Sequence, residues 1–222
     1  LAGHTAENSP DVWSATFPWP QLTGHKYSRG HALVVGGNRM TGAARLAARA
    51  AARAGAGLVT LAAPEPAWPV YATTLESIMV EGFCDEYSFE SLLADTRKNV
   101  FVVGPGLGVS EATQNQTLQI LAKQRACVLD ADAISSFSGQ PERLFAALSE
   151  KSVLTPHKGE FARVFNVSGS KLERARRAAR MSGAVVLLKG ADTVIAHPDG
   201  RAIVNTNAPP DLATGGAGDV LA

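Results

Sequence analysis

Short apolar runs alternate with helical segments from His31 onward, and this alternation restricts the chain to few architectures. Strands that are buried on both faces appear as continuous apolar runs, and such strands separated by helices are typical of parallel sheets. The pattern therefore predicts an α/β fold with a mostly parallel, doubly wound central sheet and helices on both faces. The predicted strands occupy residues 31–35, 58–63, 99–103, 126–129, 152–155 and 185–188.

Loops rich in glycine or polar residues follow four of these strands. In an open parallel sheet the ligand crevice lies outside the carboxyl ends of the strands, so we expect the loops to converge there. Gly37 and Gly42 have the spacing of a Walker A loop, but Ala43 and Ala44 stand where its Lys and Ser/Thr would be, which excludes a P-loop. The four loops are Gly36-Gly37, Gly104-Pro105-Gly106-Leu107-Gly108, Asp130-Ala131-Asp132 and Pro156-His157-Lys158-Gly159-Glu160.

Three glycines occur within four residues in Thr214-Gly215-Gly216-Ala217-Gly218-Asp219. Glycine weakens strand and helix interiors, so the stretch is predicted to turn sharply with several N–H groups facing one point. If a helix starts at Asp219, its positive end completes an anion hole. A carboxylate there is suited to accept a proton from an attacking hydroxyl. The alternative is a glycine turn in which Asp219 is a helix N-cap.

The composition excludes several classes of protein. A formal net charge of +1 gives no support for binding to nucleic acid or a membrane surface. Cys84 and Cys127 are far apart, which argues against a zinc site or disulfide scaffold and favours a reduced, cytoplasmic protein. Residues 1–20 are polar and Pro-rich and are predicted as a linker or N-terminal tail before a domain at 21–222. Neither a signal peptide nor a transmembrane helix is predicted.

Three strand ends have both a functional and a structural interpretation. Asp130 and Asp132 lie where an α/β enzyme holds a metal or a polar substrate group, but one of them could cap the next helix. His157 lies in a loop where packing does not require histidine, although a single histidine in a loop is commonly a surface residue without a function. The Lys189-Gly190 turn could face a nucleotide or be an ordinary turn.

Stretch 214–219 resembles the anion-hole motif of ribokinase-like phosphotransferases. Together with five further motifs, in order from about Gly24 onward, it is similar to the ADP-dependent NAD(P)H-hydrate dehydratases. The resemblance implies a ribokinase-like fold. Lys158 replaces a usual proline, and segment 207–212 differs from that of many members. The five motifs begin at Gly36 (with a second part at Arg53), Gly104, Leu129, Leu154 and Leu188.

The resemblance also implies an activity. These hydro-lyases dehydrate (6S)-NADHX and NADPHX to NADH and NADPH, converting ADP into AMP and phosphate with Mg²⁺. Residues 1–20 resemble the tail that follows a fused N-terminal epimerase domain in bifunctional members. Other members continue with several more helices, so the domain at 21–222 is expected to lack its C-terminal helices. A homo-oligomer is expected.

Site residues follow from the same resemblance. Asp219 is the expected base and also contacts substrate, and the amides of Gly216, Ala217 and Gly218 stabilise the transferring group. The hydrated dinucleotide is expected against Ala43, Gly106, Gly108 and His157. The adenine nucleotide is expected against Lys189, Gly190, Ala191, Asp192, Thr193 and Gly218. Asp130 or Asp132 is a candidate to hold Mg²⁺ through water.

Two other functions fit parts of the pattern. A ribokinase-like kinase of a vitamin precursor or sugar would share loop 215–219, but the segments around Gly106 and His157 fit it less well. A non-catalytic nucleotide-sensing domain would not need the carboxylate of Asp219. Product analysis separates the first alternative, and any turnover excludes the second.

Overall fold

The computed structural model describes residues 4–222 and contains one ten-stranded sheet with helices packed on it. The strands are β1 (Thr5–Glu7), β2 (His31–Val35), β3 (Leu58–Pro64), β4 (Met79–Phe83), β5 (Val100–Val103), β6 (Ala126–Leu129), β7 (Ser152–Leu154), β8 (Val185–Leu188), β9 (Thr193–Ala196) and β10 (Ala202–Asn205). The helices are α1 (Pro10–Trp13), α2 (Thr41–Ala54), α3 (Trp68–Ala72), α4 (Glu86–Ala94), α5 (Glu111–Ala122), α6 (Ala131–Ser135), α7 (Pro141–Phe145), α8 (Lys158–Val164), α9 (Lys171–Ser182) and α10 (Ala217–Leu221). Two 3-10 turns span Glu65–Ala67 and Pro210–Leu212.

The sheet order is β1-β10-β9-β8-β7-β6-β5-β2-β3-β4. Strands β2 to β8 are parallel to one another, whereas β9 is antiparallel to both of its neighbours. The chain first builds outward from β2 through β3 to β4, and then returns to the other side of β2 with β5. The seam between β2 and β5 is thus the point where the strand order reverses, which is where such sheets bind ligands. The predicted mostly parallel α/β sheet is confirmed.

The core has one layer on each face of the sheet. Leu33 and Phe101 point into the layer beneath α4, α5 and α9, whereas Val34 and Val102 point to the opposite layer beneath α2 and α3. Successive residues of one strand face opposite sides, so both faces need a cover. Helix α2 supplies a small-residue face that allows close packing on the sheet, and its buried residues are Ala44, Ala47 and Ala48.

The sequence failed to predict two elements between residues 64 and 99. The sequence indicates neither helix α3 nor strand β4. It indicates only a helix at 92–96, and these residues overlap the end of α4, which starts at Glu86. Strand β4 is an edge strand whose middle carries Glu81, and this carboxylate pairs with the buried Lys98 at 2.7 Å. A charged residue and Gly82 interrupt the apolar run, so β4 lacks the pattern of a buried strand.

Part of the predicted linker or N-terminal tail at 1–20 pairs with the sheet. Residues 1–3 lie outside the described residues, but Thr5–Glu7 forms strand β1 and pairs in parallel with β10. Asn8 N donates to the carbonyl oxygen of Val204 at 2.8 Å, and Arg176 donates to the Thr5 hydroxyl at 2.7 Å. A polar strand of three residues has no alternating pattern, so sequence reasoning had no signal for it.

Candidate active site

The loops after β2 and β5 touch each other through their backbones. A Cβ added to Gly37 would lie 1.8 Å from the carbonyl oxygen of Gly106, so only glycine fits there. A Cβ added to Gly106 would lie 3.1 Å from the Cβ of Ala43, which brings two predicted substrate residues together. The buried Tyr71 supports the loop from below, since its hydroxyl donates to the carbonyl oxygen of Gly37 at 2.7 Å. The seam thus presents main chain with little side-chain bulk.

Gly108 and Asp132 extend this surface toward β6. The Gly108 amide donates to Asp132 Oδ2 at 2.8 Å, which joins two predicted site loops. No atom lies within 4 Å of a Cβ built on Gly108, so the loop borders open space. Ala131 adopts a φ of 46°, an uncommon left-handed conformation for a residue other than glycine. The turn at Ala131 separates the side chains of Asp130 and Asp132, which bind different partners.

Asp130 is buried in an ion pair instead of capping a helix. Its Oδ1 accepts from Lys189 Nζ at 2.7 Å and from the Thr155 hydroxyl at 2.8 Å. It occupies the N-cap position of α6 but makes no side-chain capping bond. Lys189 Nζ also lies 4.0 Å from Glu160 Oε2. The ends of β6, β7 and β8 are therefore connected by one set of charged and polar side chains.

His157 has a structural role that sequence reasoning missed. It is the N-cap of α8, and its Nδ1 accepts from the amides of Gly159 at 2.9 Å and Glu160 at 3.2 Å. Glu160 Oε2 in turn accepts from the His157 amide at 2.8 Å, which completes a capping box. Because Nδ1 accepts, Nε2 carries the proton in the neutral ring and lies 3.3 Å from Glu160 Oε1. The spacing His-x-x-Glu is the feature of the sequence that could have indicated this capping box.

The terminal glycine loop turns into a helix earlier than expected. Helix α10 begins at Ala217, not at Asp219, because Gly216 adopts a left-handed φ of 89° and forms the N-cap. Asp219 therefore lies in the first turn and does not cap the helix. A Cβ built on Gly218 would lie 3.4 Å from Lys189 Nζ, so the loop and the end of β8 are adjacent.

Asp219 is half-buried and near other carboxylates. Burial is the main cause that raises its pKa above the ordinary value, and the negative charges of Asp130 and Asp132 raise it further. The Lys189 ammonium lowers the pKa in part. A carboxylate with a raised pKa accepts a proton more readily at neutral pH, which suits a general base.

The turn between β8 and β9 is held by its own residues and by Lys171. The Thr193 hydroxyl donates to the carbonyl oxygen of Gly190 at 2.8 Å and accepts from its amide at 3.2 Å. Lys171 Nζ donates to Asp192 Oδ1 at 2.6 Å, and this bond lowers the pKa of Asp192. Lys171 therefore crosses the turn, a position that the sequence did not indicate.

A family model described as NAD(P)H-hydrate dehydratase matches residues 32–222. The chain belongs to the NAD(P)H-hydrate dehydratase family. The suspected resemblance is therefore confirmed.

Curated relatives give the same result. The chain is 39% identical over 219 residues to the bifunctional NAD(P)H-hydrate repair enzyme of Moorella thermoacetica. The matched region covers 92% of this chain but 41% of that protein. It is 35% identical to the ADP-dependent (S)-NAD(P)H-hydrate dehydratase of Xanthomonas campestris, over 92% of this chain and 74% of that protein. The chain thus spans about two fifths of the length of the bifunctional relatives.

Solved structures confirm the ribokinase-like fold. A ribokinase-like superfamily protein of Enterococcus faecalis superposes with a TM-score of 0.82 at 28% identity, covering 98% of this chain and 77% of that one. The ADP/ATP-dependent NAD(P)H-hydrate dehydratase of Bacillus subtilis, co-crystallised with ATP/Mg²⁺, gives 0.80 at 27% identity, covering 97% and 78%.

The carboxylates of the site can supply few direct ligands to Mg²⁺. Within residues 4–222 no three His, Cys, Asp or Glu side chains form a metal-binding group. Asp130 is buried and its Oδ1 accepts from Lys189 and Thr155, whereas the less buried Asp132 accepts from the Gly108 amide. Such a donor set suits an ion that arrives with phosphates and keeps its water. Asp132 is therefore the better candidate ligand.

The glycine loops of this site lie in neither of two surface cavities. A cavity of about 420 Å³ lies between α2 and segment 75–78, and one of about 270 Å³ lies between α4 and α5. No helix within residues 4–222 has the length and apolar character needed to cross a membrane.

Proposed function

We propose that this chain dehydrates (6S)-NADHX and NADPHX to NADH and NADPH, consuming ADP and releasing AMP and phosphate. One observation carries the proposal. A half-buried Asp219 of raised pKa lies in the first turn of α10, next to the Lys189 ammonium, and α10 packs against α2, the helix that follows β2. Membership of the NAD(P)H-hydrate dehydratase family limits the reactions in which such a base would act.

The nucleotide belongs on the β8 side of Asp219. The turn at 189–193 and Gly218 are adjacent, and the Lys189 ammonium between them is positioned for a diphosphate. Amides of Gly216, Ala217 and Gly218 supply donors for the transferring phosphoryl group. Each such donor contributes about 3 kcal/mol in comparable oxyanion holes.

The hydrated dinucleotide belongs on the other side of Asp219. Gly108 borders open space, and Ala43 and Gly106 add at most one methyl group to the surface that a flat ring or a pyrophosphate would contact. The ring of His157 is more than half exposed although its Nδ1 caps α8, so one edge remains able to contact substrate.

Catalysis starts with proton transfer from the substrate hydroxyl to Asp219. The hydroxyl oxygen attacks the terminal phosphorus of ADP, and the bond from that phosphorus to the AMP oxygen breaks. The lone pair of the ring nitrogen then breaks the bond between the neighbouring ring carbon and the phosphate oxygen, and phosphate leaves. Loss of a proton to solvent from the next ring carbon restores the dihydropyridine. When bound, Mg²⁺ screens the phosphate charges, and Asp132 would hold it through water.

Incubation with NADHX, ADP and Mg²⁺ tests this function. We expect NADH absorbance to rise with equal amounts of AMP and phosphate. A stable phosphate ester would instead identify a small-molecule kinase, and binding without turnover would identify a nucleotide sensor. A nucleotide-bound structure with AMP or ADP away from both 189–193 and Gly218 would refute the assigned nucleotide side. A cytoplasmic location, a fused epimerase domain and a homo-oligomer stay predictions.

A further inference from the structure

We propose that Asp130 is a positioning residue, which holds the Lys189 ammonium against the Gly218 loop where the nucleotide phosphates bind. This inference rests on the nucleotide side of the proposed function. It gives Asp130 a role different from the metal ligand that sequence reasoning considered.

The geometry places Lys189 between its anchor and the loop. Asp130 Oδ1 is 2.7 Å from Lys189 Nζ, and a Cβ built on Gly218 would be 3.4 Å from the same nitrogen. The Thr155 hydroxyl donates to the same Asp130 oxygen and fixes its direction. The lysine backbone is fixed as well, since its amide donates to the carbonyl oxygen of Pro156 at 2.9 Å.

Burial of the Asp130–Lys189 ion pair fixes the direction in which the Lys189 ammonium points. The Asp130 side chain is 2% exposed and that of Lys189 is 17% exposed, so the ammonium has one buried face and one face toward the loop. A free lysine loses substantial rotamer freedom when a ligand immobilises it, whereas an anchored one has already lost it. The anchor therefore presents a preorganised cation to an incoming phosphate.

Under this proposal Asp130 and Asp132 have different roles. Asp130 Oδ1 accepts two hydrogen bonds from side chains, while Asp132 reaches the Gly108 amide on the opposite side. If Asp130 acts through Lys189, its substitution has an effect only while the lysine is present. If it holds Mg²⁺, the effect is independent of the lysine.

A double-mutant cycle on ADP binding tests this coupling. We would measure the Kd of ADP by calorimetry across a Mg²⁺ titration for wild type, Asp130→Asn, Lys189→Met and the double variant. Asp130→Asn should weaken binding about tenfold in wild type but less than about twofold in the Lys189→Met background. The Mg²⁺ concentration that gives half-maximal ADP binding should stay unchanged.

The variants include internal controls for folding. The double variant leaves neither charge unpaired, so it should fold even if Asp130→Asn does not. Thr155→Val loosens Asp130 without removing charge and should weaken ADP binding about threefold. Glu81→Gln breaks a similar pair with the buried Lys98 at 2.7 Å, away from the Gly218 loop, and should leave ADP binding unchanged.

Several results would overturn the inference. Equal weakening by Asp130→Asn in both backgrounds, a shifted Mg²⁺ requirement, unchanged binding in Asp130→Asn, or wild type that does not bind ADP each contradicts it. Coupling in ADP binding without turnover of NADHX would support the positioning role while refuting the proposed dehydratase function.

Discussion

Replacing Gly37 by alanine should force apart the loops after β2 and β5. The new Cβ would lie 1.8 Å from the carbonyl oxygen of Gly106, whereas carbon and oxygen normally approach to about 3.3 Å. The backbone of one loop must therefore move by about 1.5 Å, because a carbonyl cannot rotate away like a side-chain end. Overpacking of this kind costs about 1–3 kcal/mol, which lowers the Tm of a chain of this length by about 4–8 °C at the centre of that range.

The displacement should affect one substrate and spare the other. A misplacement near 1 Å reduces turnover by about a hundredfold, so we expect this loss in kcat/KM for NADHX. The Kd of ADP should change less than about twofold, because the nucleotide side lies across Asp219. Steady-state kinetics and calorimetry at 25 °C, below the Tm, measure both quantities.

Gly42→Ala is the matched control for Gly37→Ala. Gly42 lies in the first turn of α2, and no atom lies within 4 Å of its added Cβ. This change should leave kinetics unaltered and stabilise the protein by about 0.5–1 kcal/mol. A Gly37→Ala protein with wild-type Tm and wild-type KM for NADHX would show that the seam is neither tight nor part of the substrate site.

Four further predictions concern the side chains of the site. Asp219→Asn should keep ADP binding and lose about 10²–10⁴-fold in kcat; retention of more than about a tenth would exclude it as the base. Because burial raises the pKa of Asp219, kcat should rise with pH through a midpoint above the ordinary value for aspartate, which is about 4. A midpoint at or below that ordinary value would contradict this. The same shift means that the charged Asp219 destabilises the folded state at high pH. Asp219→Asn should thus have the higher Tm at pH 8, a gap that closes on acidification below the unfolded pKa, and equal Tm values throughout would argue against it. His157→Ala should raise KM for NADHX more than it lowers kcat, leave KM for ADP unchanged, and cost about 1 kcal/mol through the lost N-cap. His157→Asn keeps a good cap, so a wild-type KM in that variant would restrict histidine to its capping role.

The sequence allowed prediction of features that depend on local pattern. Buried strands such as β2 and β5 are continuous apolar runs, and parallel strands bring their carboxyl ends to one edge. The loops after β2 and β5 are therefore expected to converge, and the structure brings Gly37 against Gly106. Ser110 caps α5 by accepting from the Thr113 amide, and a serine directly before a helix is a local signal of this kind.

Features that depend on long-range pairing could not be predicted in the same way. Asp130 and Lys189 are 59 residues apart, and nothing in either local sequence selects the other as a partner. Asp219 lies two residues inside α10, because the conformation of Gly216 sets the helix start. Strand β4 forms on the sheet edge despite its charged residue, since only one neighbour pairs with it.

Strand β1 depends on its connection to the rest of the chain. Its three residues make few bonds to β10, and a peptide of that length would not bind an open edge in dilute solution. The intact chain supplies it at a local concentration in the mM range, which makes the pairing intramolecular. A protease that cut within the exposed segment at 21–29 would remove no atom of the sheet, yet β1 would diffuse away. The newly exposed edge of β10 would then offer its unpaired backbone groups to other chains, so a single cut would make the fold prone to edge-to-edge association.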